Sequence, residues 1–303
     1  MKSIFLTIIL LISGYLSIAQ QELMITQYMH NGLFLNPAYA GVHGGISASV
    51  LHRQQWVGID GAPNTQLFTI HSPINFHNYS LGAVLYRDQI GISSQQGGYF
   101  SYAYRIRLGA NVQLSMGIQT NLQNYATNYS DGMNPLFESG DSEIQGNTSL
   151  FKVNFGTGLF LHSDLFYVGI SVPRILHQKL SVSDPDNIFM ESVRHYYGSA
   201  GLVLPVGRKL IVKPNLLVKN VPGTPVQVDL NVNTLISNVV WAGLSYRSLE
   251  SLDGLLGIQI NPQLLVSYAY DFSVNQMGAT SHEIMISYIL ERVNNKILTP
   301  RYF

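Results

Sequence analysis

The histidines and carboxylates are the first candidates for metal binding in this sequence. The chain contains nine histidines, and His71 and His77 flank a predicted turn. A metalloprotease helix would carry the HExxH spacing, which the sequence lacks. Four carboxylates in the longest predicted loop lack the spacing of an EF-hand calcium site. They are Asp131, Glu138, Asp141 and Glu143. We therefore predict no metal and no cofactor.

Serine and threonine nucleophiles are the next candidates, because a hydrolase needs one within hydrogen-bond reach of a base. His162-Ser163 and Ser281-His282 are adjacent pairs, but neighbouring residues on a strand point to opposite faces. The sequence has no cysteine, which removes thiolate chemistry and disulfides. We predict no catalytic residues and no enzymatic activity.

Three clusters instead combine aromatic, amide and turn-forming residues suited to contacting a partner or filling a channel. The first comprises Gln27, Tyr28, Asn36, Pro37, Tyr39 and Gly41. The second comprises Gln55, Trp56, Gly58, Asp60, Gly61 and Pro63. The third comprises Arg301, Tyr302 and Phe303, which suit either a barrel-assembly signal or a peptide that docks on a partner. We predict that these residues are partner or plug contacts.

The first cluster does not have the pattern of an amphipathic helix. Thr26 can cap a single helical turn that Gly32 ends, since both residue types favour those positions. Asn36-Pro37 then prevents further helix, because proline lacks an N–H and pushes the preceding residue towards extended geometry. Strand-like alternation begins at Ile46. A folded lead segment therefore precedes the first strand.

Composition points away from nucleic acid and towards lipid. The formal net charge is zero, so the chain lacks the basic footprint that nucleic-acid binding needs. Charged residues make up 11% of the chain, well below the roughly 25% of soluble domains. Tyrosine (18) and glycine (27) are abundant. This composition suits a protein that exposes much of its surface to a membrane.

The N-terminal residues predict export. Lys2 precedes an apolar run from Ile4 to Leu16, and Ser17-Ile18-Ala19 has the small residues of a cleavage site. We predict a signal peptide over residues 1–19; the alternative is a retained anchor, for which the apolar run is too short. Gln20 follows the predicted cleavage site, so no lipoprotein anchor is expected.

Alternating apolar and polar residues recur along nearly the whole of the remaining chain. We predict about fourteen strands, an even number, mostly of the ~9–11 residues that cross a bilayer when tilted. They lie near 46–54, 64–71, 79–87, 98–108, 111–123, 149–162, 165–172, 195–205, 209–218, 225–233, 238–247, 254–260, 263–272 and 281–290. Connections after even-numbered strands are mostly short, whereas those after odd-numbered strands are longer. The pattern predicts an all-β protein, a transmembrane antiparallel β-barrel, with a secreted β-sandwich or solenoid as the alternative.

The predicted organisation has four parts. A signal peptide (1–19) precedes a lead segment (20–45), the barrel (46–290) and a C-terminal tail (291–303). The lead segment is expected on the periplasmic side or in the lumen, as a plug or docking segment, since a barrel of this size leaves space that side chains cannot fill. The second cluster is expected on the opposite rim, so we predict two separate sites.

Tyrosines near strand ends predict aromatic girdles at the two membrane interfaces. They are Tyr99, Tyr102, Tyr167, Tyr196, Tyr246, Tyr268 and Tyr288.

At the three clusters the sequence resembles the PorP/SprF family, outer-membrane proteins of the type IX secretion and gliding machinery of Bacteroidota. The matching segments include Thr26–Met29, Leu35–Gly41, Gln55–Gly58, Asp60–Pro63, Lys213-Pro214, Gln227–Asn231, Tyr268–Asp271, Ser281–Ile284 and Pro300–Phe303. Phe34, Ile59 and Thr299 depart mildly from the family pattern.

The resemblance implies a non-enzymatic barrel that supports the export or surface attachment of cargo proteins. The implied location is the outer membrane, in contact with its lipid. The implied partners are other secretion components, namely periplasmic lipoproteins and the translocon, together with secreted cargo that carries C-terminal sorting domains. The alternative function is a passive channel or transporter for small molecules, because wide barrels often conduct.

Overall fold

The computed structural model describes residues 23–74, 78–128, 148–181, 188–248, 250–274 and 279–290. The predicted signal peptide and C-terminal tail lie outside these ranges. Helical structure in the described residues consists of one-turn 3₁₀ helices, and no described helix has the length and apolarity to cross a membrane. Strands make up most of what is described.

The strands are numbered in chain order. They are β1 (Ile46–Gln54), β2 (Asn64–Pro73), β3 (Tyr79–Ile90), β4 (Ser93–Arg107), β5 (Gln113–Thr127), β6 (Thr148–His162), β7 (Phe166–Val172), β8 (Gln178–Ser181), β9 (Ile188–Ser192), β10 (Tyr196–Leu202), β11 (Leu204–Val206), β12 (Leu210–Asn220), β13 (Gln227–Ile236), β14 (Val240–Arg247), β15 (Ser251–Asn261), β16 (Leu264–Ser273) and β17 (Thr280–Leu290).

These strands form a closed antiparallel barrel with fourteen strand positions. Strands that follow one another around the wall are hydrogen-bonded, and β1 pairs with β17 from Ile46↔Leu290 to Gln54↔His282, which closes the cylinder. β10 and β11 share one position because both pair with β12, one after the other, on either side of Val203. The predicted fold class is confirmed.

The two faces of the wall differ in polarity in the sense expected of a membrane barrel. On β13, Asp229 and Asn231 face the lumen and are 3% and 2% exposed, whereas Leu230 and Val232 face outward and are 53% and 48% exposed. The same alternation recurs around the barrel, with Ser, Asn, Gln and charged residues inside and Leu, Ile, Val and Phe outside. An apolar outer band around a polar lumen is the surface that lipid requires.

The rims differ in their connections, as predicted, with two exceptions. The connections 128–147 and 173–195 leave one rim, named here the loop rim, while 163–165, 207–209 and 262–263 lie on the opposite, short-turn rim. One exception is the connection expected at 248–253, which spans only residues 248–250. The other is the expected ten-residue loop at 88–97. In the structure, β3 and β4 continue through it to a turn at Gly91. Strand pairing persists there although apolar alternation ends, because main-chain hydrogen bonds do not depend on side-chain polarity.

Two further details differ from the sequence-based prediction. Residues 173–194, expected as a loop, contain the separate hairpin of β8 and β9. Tyr99 and Tyr167, expected in the aromatic girdles, point into the lumen and are 2% and 8% exposed. Side chains of a strand alternate between its two faces, and both tyrosines occupy positions that face the lumen. The prediction considered only that they lie near strand ends.

Candidate functional site

The lead segment (residues 23–45 of the described chain) runs inside the barrel, along its axis. Its first residues contact the loop-rim end of β1 and β17, and its last residues contact the start of β1 at the short-turn rim. One single turn does lie between Thr26 and Gly32, but Gln27 and Asn31 flank it instead of the predicted Thr26 and Gly32. The prediction that Asn36-Pro37 prevents further helix is wrong, because proline fits the first position of a turn that Asn36 caps. In all, the described lead segment has three one-turn 3₁₀ helices, at Tyr28–His30, Gly32–Phe34 and Pro37–Tyr39. The Thr26 hydroxyl does not cap a turn because it donates to Asp271.

A buried ionic cluster holds the loop-rim end of the lead segment. Arg53 on β1 lies 2.6 Å from the Asp271 carboxylate on β16 and 3.1 Å from that of Glu283 on β17. The two oxygens of Glu283 accept the backbone N–H groups of Thr26 and Gln27, each at 2.9 Å. Two carboxylates thus face one guanidinium. The lead segment adds two main-chain N–H donors to Glu283 and the Thr26 hydroxyl to Asp271.

Burial makes this cluster energetically important. The side chains of Arg53, Asp271 and Glu283 are 2%, 4% and 0% exposed. Removing a charge from water is costly, and ion pairing and hydrogen bonds offset that cost. The lead segment is therefore part of what stabilises these charges, and the charges fix the position of Gln27, whose side-chain carbonyl accepts a hydrogen bond from Ser267.

Tyr28 lies beside a second buried ion pair. Its ring is 3% exposed and lines a small cavity together with Asp229. Arg247 Nε lies 3.1 Å from Asp229 Oδ2, and both side chains are almost fully buried. Burial raises the pKa of the Tyr28 hydroxyl well above its usual value, so the group remains neutral.

Asn36 joins the middle of the lead segment to the opposite wall of the lumen. Its side-chain amide donates to the backbone carbonyls of Leu159 on β6 and Ile170 on β7, at 3.0 and 3.3 Å. Its side-chain oxygen accepts the N–H of Ala38 at 2.9 Å, which caps the turn that begins at Pro37. Asn36 therefore shapes the segment and attaches it to the wall.

We expect Asn36→Asp to weaken this attachment more than Asn36→Ala. Aspartate has the same shape but lacks the N–H donors, so a carboxylate would face the two carbonyl oxygens of Leu159 and Ile170. Loss of such a buried bond costs roughly 1–3 kcal/mol, and more when a charge is left unpaired. Denaturant unfolding in lipid vesicles measures the effect. Asn36→Asp with unfolding equal to that of the unchanged protein would contradict the assigned contacts.

Glycines on the lumenal face let the segment approach the wall closely. A Cβ on Gly117 of β5 would lie 2.2 Å from the backbone N of Ala38, and one on Gly158 of β6 would lie 2.1 Å from Asn36 Oδ1. Both distances are far below van der Waals contact. The wall is shaped to receive the main chain of the segment around Pro37.

Aromatic rings fill the short-turn end of the lumen around Tyr39. Its ring meets Phe160 edge-on at a centroid distance of 5.4 Å and His71 at 5.6 Å. Gly41 has a φ of +75°, and its N–H donates to His71 Nδ1 at 3.0 Å. A side chain at Gly41 would strain the backbone and collide with Ser80. Burial raises the pKa of Tyr39 above its usual value, so it remains neutral.

The second cluster forms the connection between β1 and β2 on the loop rim. Gln55 N–H donates to the carbonyl of Pro63 at 2.9 Å and closes the loop. Trp56 has a φ of 47°, and its N–H lies 3.4 Å from Ser281 Oγ. Gly61 accepts the N–H of Gly91 at 2.8 Å, which attaches the loop to the β3–β4 turn. Gly58 (φ 93°) and Asp60 are exposed.

The two predicted sites meet at one point. The lead segment does face the short-turn rim at Tyr39 and Gly41, one membrane crossing away from the loop. However, Gln27 and Trp56 contact Glu283 and Ser281, two positions apart on β17. The expected separation therefore applies to the last part of the lead segment, because the segment spans the lumen instead of occupying one end. Arg301, Tyr302 and Phe303 lie outside the described residues.

Sequence reasoning assigned no site role to the charged residues of the lumen, although Asp229, Asp271 and Glu283 lie in segments that resemble the family. The main ones are Arg53, Asp229, Arg247, Asp271 and Glu283. The alternation along the strands does indicate these residues, since each occupies a position that faces the lumen on a strand whose other face is largely apolar. Among the described residues, no group of three or more His, Asp or Glu side chains is placed to hold a metal ion. The geometry serves to hold a peptide segment in place.

A closed barrel with an apolar exterior, a polar lumen and an internal segment defines the chain as an outer-membrane-type β-barrel protein. Residues 17–288 match the family model described as type IX secretion system membrane protein PorP/SprF, and the chain belongs to this family. No curated protein matches the chain.

The chain is similar to solved structures of outer-membrane barrels at low sequence identity. The toluene transporter TbuX of Ralstonia pickettii is 12% identical, with 86% of this chain and 93% of that chain covered and a TM-score of 0.51. The monoaromatic hydrocarbon channel CymD is 14% identical, with coverages of 87% and 93% and a TM-score of 0.49. Omp33 of Acinetobacter baumannii is 9% identical, with coverages of 82% and 100% and a TM-score of 0.48. At 12% identity, the likeness to TbuX concerns the fold alone.

Proposed function

We propose that the protein is a non-enzymatic component of the type IX secretion and gliding machinery that supports the export or surface attachment of cargo proteins. The family match over residues 17–288 is the observation that carries this proposal. Its proposed partners are periplasmic lipoproteins, the translocon and cargo with C-terminal sorting domains. The proposed path to the outer membrane is export by the signal peptide at residues 1–19.

The filled lumen supports this role over that of a passive channel. The lead segment is bonded to Glu283 on one side of the lumen and to the carbonyls of Leu159 and Ile170 on the other. A small solute would have to pass a segment held by buried charges. The proposed sites of partner contact are then the surfaces that remain accessible, namely the loop around Trp56 and the short-turn rim.

Deletion of the gene, followed by mass spectrometry of culture supernatant and surface proteins, tests the function. We expect one or more cargo proteins to be lost from the medium or the surface and restored by the wild-type gene. Complementation by Trp56→Ala and Tyr39→Ala then separates a surface contact from a lumenal one, since only the first residue lies on a rim loop. Unchanged export and attachment of every cargo, in a strain without paralogues, would refute the proposal.

Planar-bilayer conductance of the purified protein tests the channel alternative. Some structures that share the fold are of transporters, such as TbuX. If the lead segment blocks passage, we expect no large steady conductance from the wild-type protein and a clear increase when residues 23–40 are deleted. A large open current from the wild-type protein would favour the channel.

The orientation of the barrel gives a further prediction. Long loops of outer-membrane barrels face outside and short turns face the periplasm. We expect Asp60→Cys on the loop rim to react with a membrane-impermeant maleimide in intact cells. Lys209→Cys on the short-turn rim should react only after the outer membrane is disrupted, and both positions are exposed. The protein has no cysteine of its own, so a reversed labelling pattern would show the opposite orientation.

A further inference from the structure

Two buried carboxylates lie directly opposite each other on neighbouring strands near the loop rim. Asp253 on β15 is the register partner of Asp271 on β16, and each residue faces the lumen and is 3% exposed. Opposite residues of paired strands have Cβ atoms roughly 4.5–5.5 Å apart, and like charges in such a pair repel each other. A pair of carboxylates at this depth therefore needs a positive charge close to both.

Arg53 supplies such a charge to one side of the pair. Its guanidinium lies 2.6 Å from Asp271 Oδ2, which also accepts a hydrogen bond from the Thr26 hydroxyl. Asp271 Oδ1 and both carboxylate oxygens of Asp253 have no hydrogen-bond partner among the described residues. Three carboxylate oxygens of the pair are therefore available to a further cation.

A buried hydroxyl lies beside the same carboxylate. Ser251 is two positions before Asp253 on β15, so both side chains face the lumen, and Ser251 is 4% exposed. Its Oγ approaches the Asp253 carboxylate without reaching hydrogen-bond geometry, and it has no hydrogen-bond partner in the part of the chain that the structure describes. Leaving a buried hydroxyl without a hydrogen bond is costly. A cation bound between these groups would satisfy the hydroxyl oxygen and the carboxylates together.

The charges at this end of the lumen do not balance. Where β12 to β17 and β1 reach the loop rim, the described lumenal residues include five carboxylates and three cationic side chains, which leaves two negative charges. They are Asp229, Glu250, Asp253, Asp271 and Glu283, together with Arg53, Lys219 and Arg247. Removing unpaired charges from water is costly. One divalent cation would make this group neutral.

We propose that Ser251, Asp253 and Asp271 bind a calcium ion that bridges β15 and β16 just below the loop rim. The donors are all oxygens, and calcium accepts about 6–8 of them in irregular arrangements, whereas magnesium needs a nearly ideal octahedron. Water completes the shell, because these side chains offer two carboxylates and one hydroxyl. The site thus differs from a group of three or more acidic or histidine ligands, which the described residues do not form.

Such a site has no signature in the sequence, because its two carboxylates come from different strands and meet only through the register of β15 and β16. The ion would also support the attachment of the lead segment, since Asp271 holds Arg53 and Thr26 in place. The inference goes beyond the secretion role and does not rest on it.

Calcium titration of the full-length protein, folded in lipid vesicles and stripped of metal with EDTA, tests the proposal. Equilibrium dialysis with radioactive calcium measures binding. We expect Asp253→Asn, which keeps the shape and removes the charge, to bind calcium more weakly by a factor on the order of ten or more. Asp60→Asn is the matched control, because Asp60 is also an aspartate at the loop rim but is exposed, and its calcium affinity should be unchanged. Calcium should raise the urea midpoint of the unchanged protein and of Asp60→Asn, but not of Asp253→Asn.

Several outcomes would overturn the proposal. Equal calcium affinity of Asp253→Asn and the unchanged protein would remove Asp253 from the site. If calcium left the urea midpoint of the unchanged protein where it was, the two carboxylates would share a proton instead of a metal ion. Magnesium bound as tightly as calcium would refute the assignment to calcium. If Asp253→Asn did not fold, Ser251→Ala would replace it, and an unchanged calcium affinity of that variant would count against the site.

Discussion

Arg53→Ala is expected to lower the free energy of unfolding by roughly 3–5 kcal/mol, because it leaves two buried carboxylates without their cation. Asp271 and Glu283 would then face each other across the space the guanidinium occupied, in a site almost closed to water. The Thr26 hydroxyl, which receives a 2.8 Å hydrogen bond from Arg53, would lose that contact. We therefore expect the loop-rim end of the lead segment to detach. Urea unfolding in lipid vesicles measures the stability, and limited proteolysis of the folded barrel measures the detachment.

Arg87→Ala is the matched control. Arg87 is also an arginine near the loop rim of a barrel strand, but it is exposed, and exposed substitutions usually change stability by no more than about 0.5 kcal/mol. If both variants unfolded at the same urea concentration, the Arg53 cluster would contribute little to stability. Detachment without destabilisation would instead show that the barrel tolerates the unpaired charges.

Gly117→Ala is expected to displace the lead segment from the wall. The added Cβ would lie 2.2 Å from the Ala38 nitrogen and 2.5 Å from the carbonyl carbon of Pro37, so main chain has to move. Overpacking of this kind typically costs about 1–3 kcal/mol. We expect a gain in conductance in planar bilayers and a lower stability in urea.

Gly254→Ala provides the comparison, because it is the same substitution within a barrel strand and nothing lies within 4 Å of the added atom. Alanine is favoured over glycine inside a strand by roughly 0.5–1 kcal/mol, so this variant should be as stable as the unchanged protein or slightly more stable. Equal conductance and equal stability of the two variants would refute the close approach at Gly117.

The barrel could be predicted from sequence because each strand carries its own signal. Where apolar residues alternate with polar ones, as at 111–123 and 225–233, the predicted strands agree with β5 and β13 to within a few residues. Where both faces of a strand are polar, apolar and polar residues no longer alternate, so the sequence predicts β3 and β4 shorter than they are. The signal also fails for β8 and β9, a hairpin that pairs only with itself.

The contacts of the lead segment could not be predicted, because they depend on which strands meet across the lumen. Asn36 and the carbonyl of Leu159 are 123 positions apart, and no local pattern links them. Parity alone does assign Arg53 and Glu283 to the lumenal face, but it does not show that they are neighbours. Only the register of β1 against β17, with Arg53 opposite Glu283, brings them together.

The place where Thr26 and Gln27 are held has a consequence for how the barrel assembles. Their partners belong to β1, β16 and β17, so they lie across the seam where the first and last strands meet. Thr26 and Glu283 are 257 positions apart, and contacts so distant in sequence form late and slowly. If β1 paired with β17 before the lead segment lay inside the barrel, the segment would have to enter the closed barrel afterwards. We therefore expect the pairing of β1 with β17 and the binding of Thr26 and Gln27 to occur together, as the last step of folding.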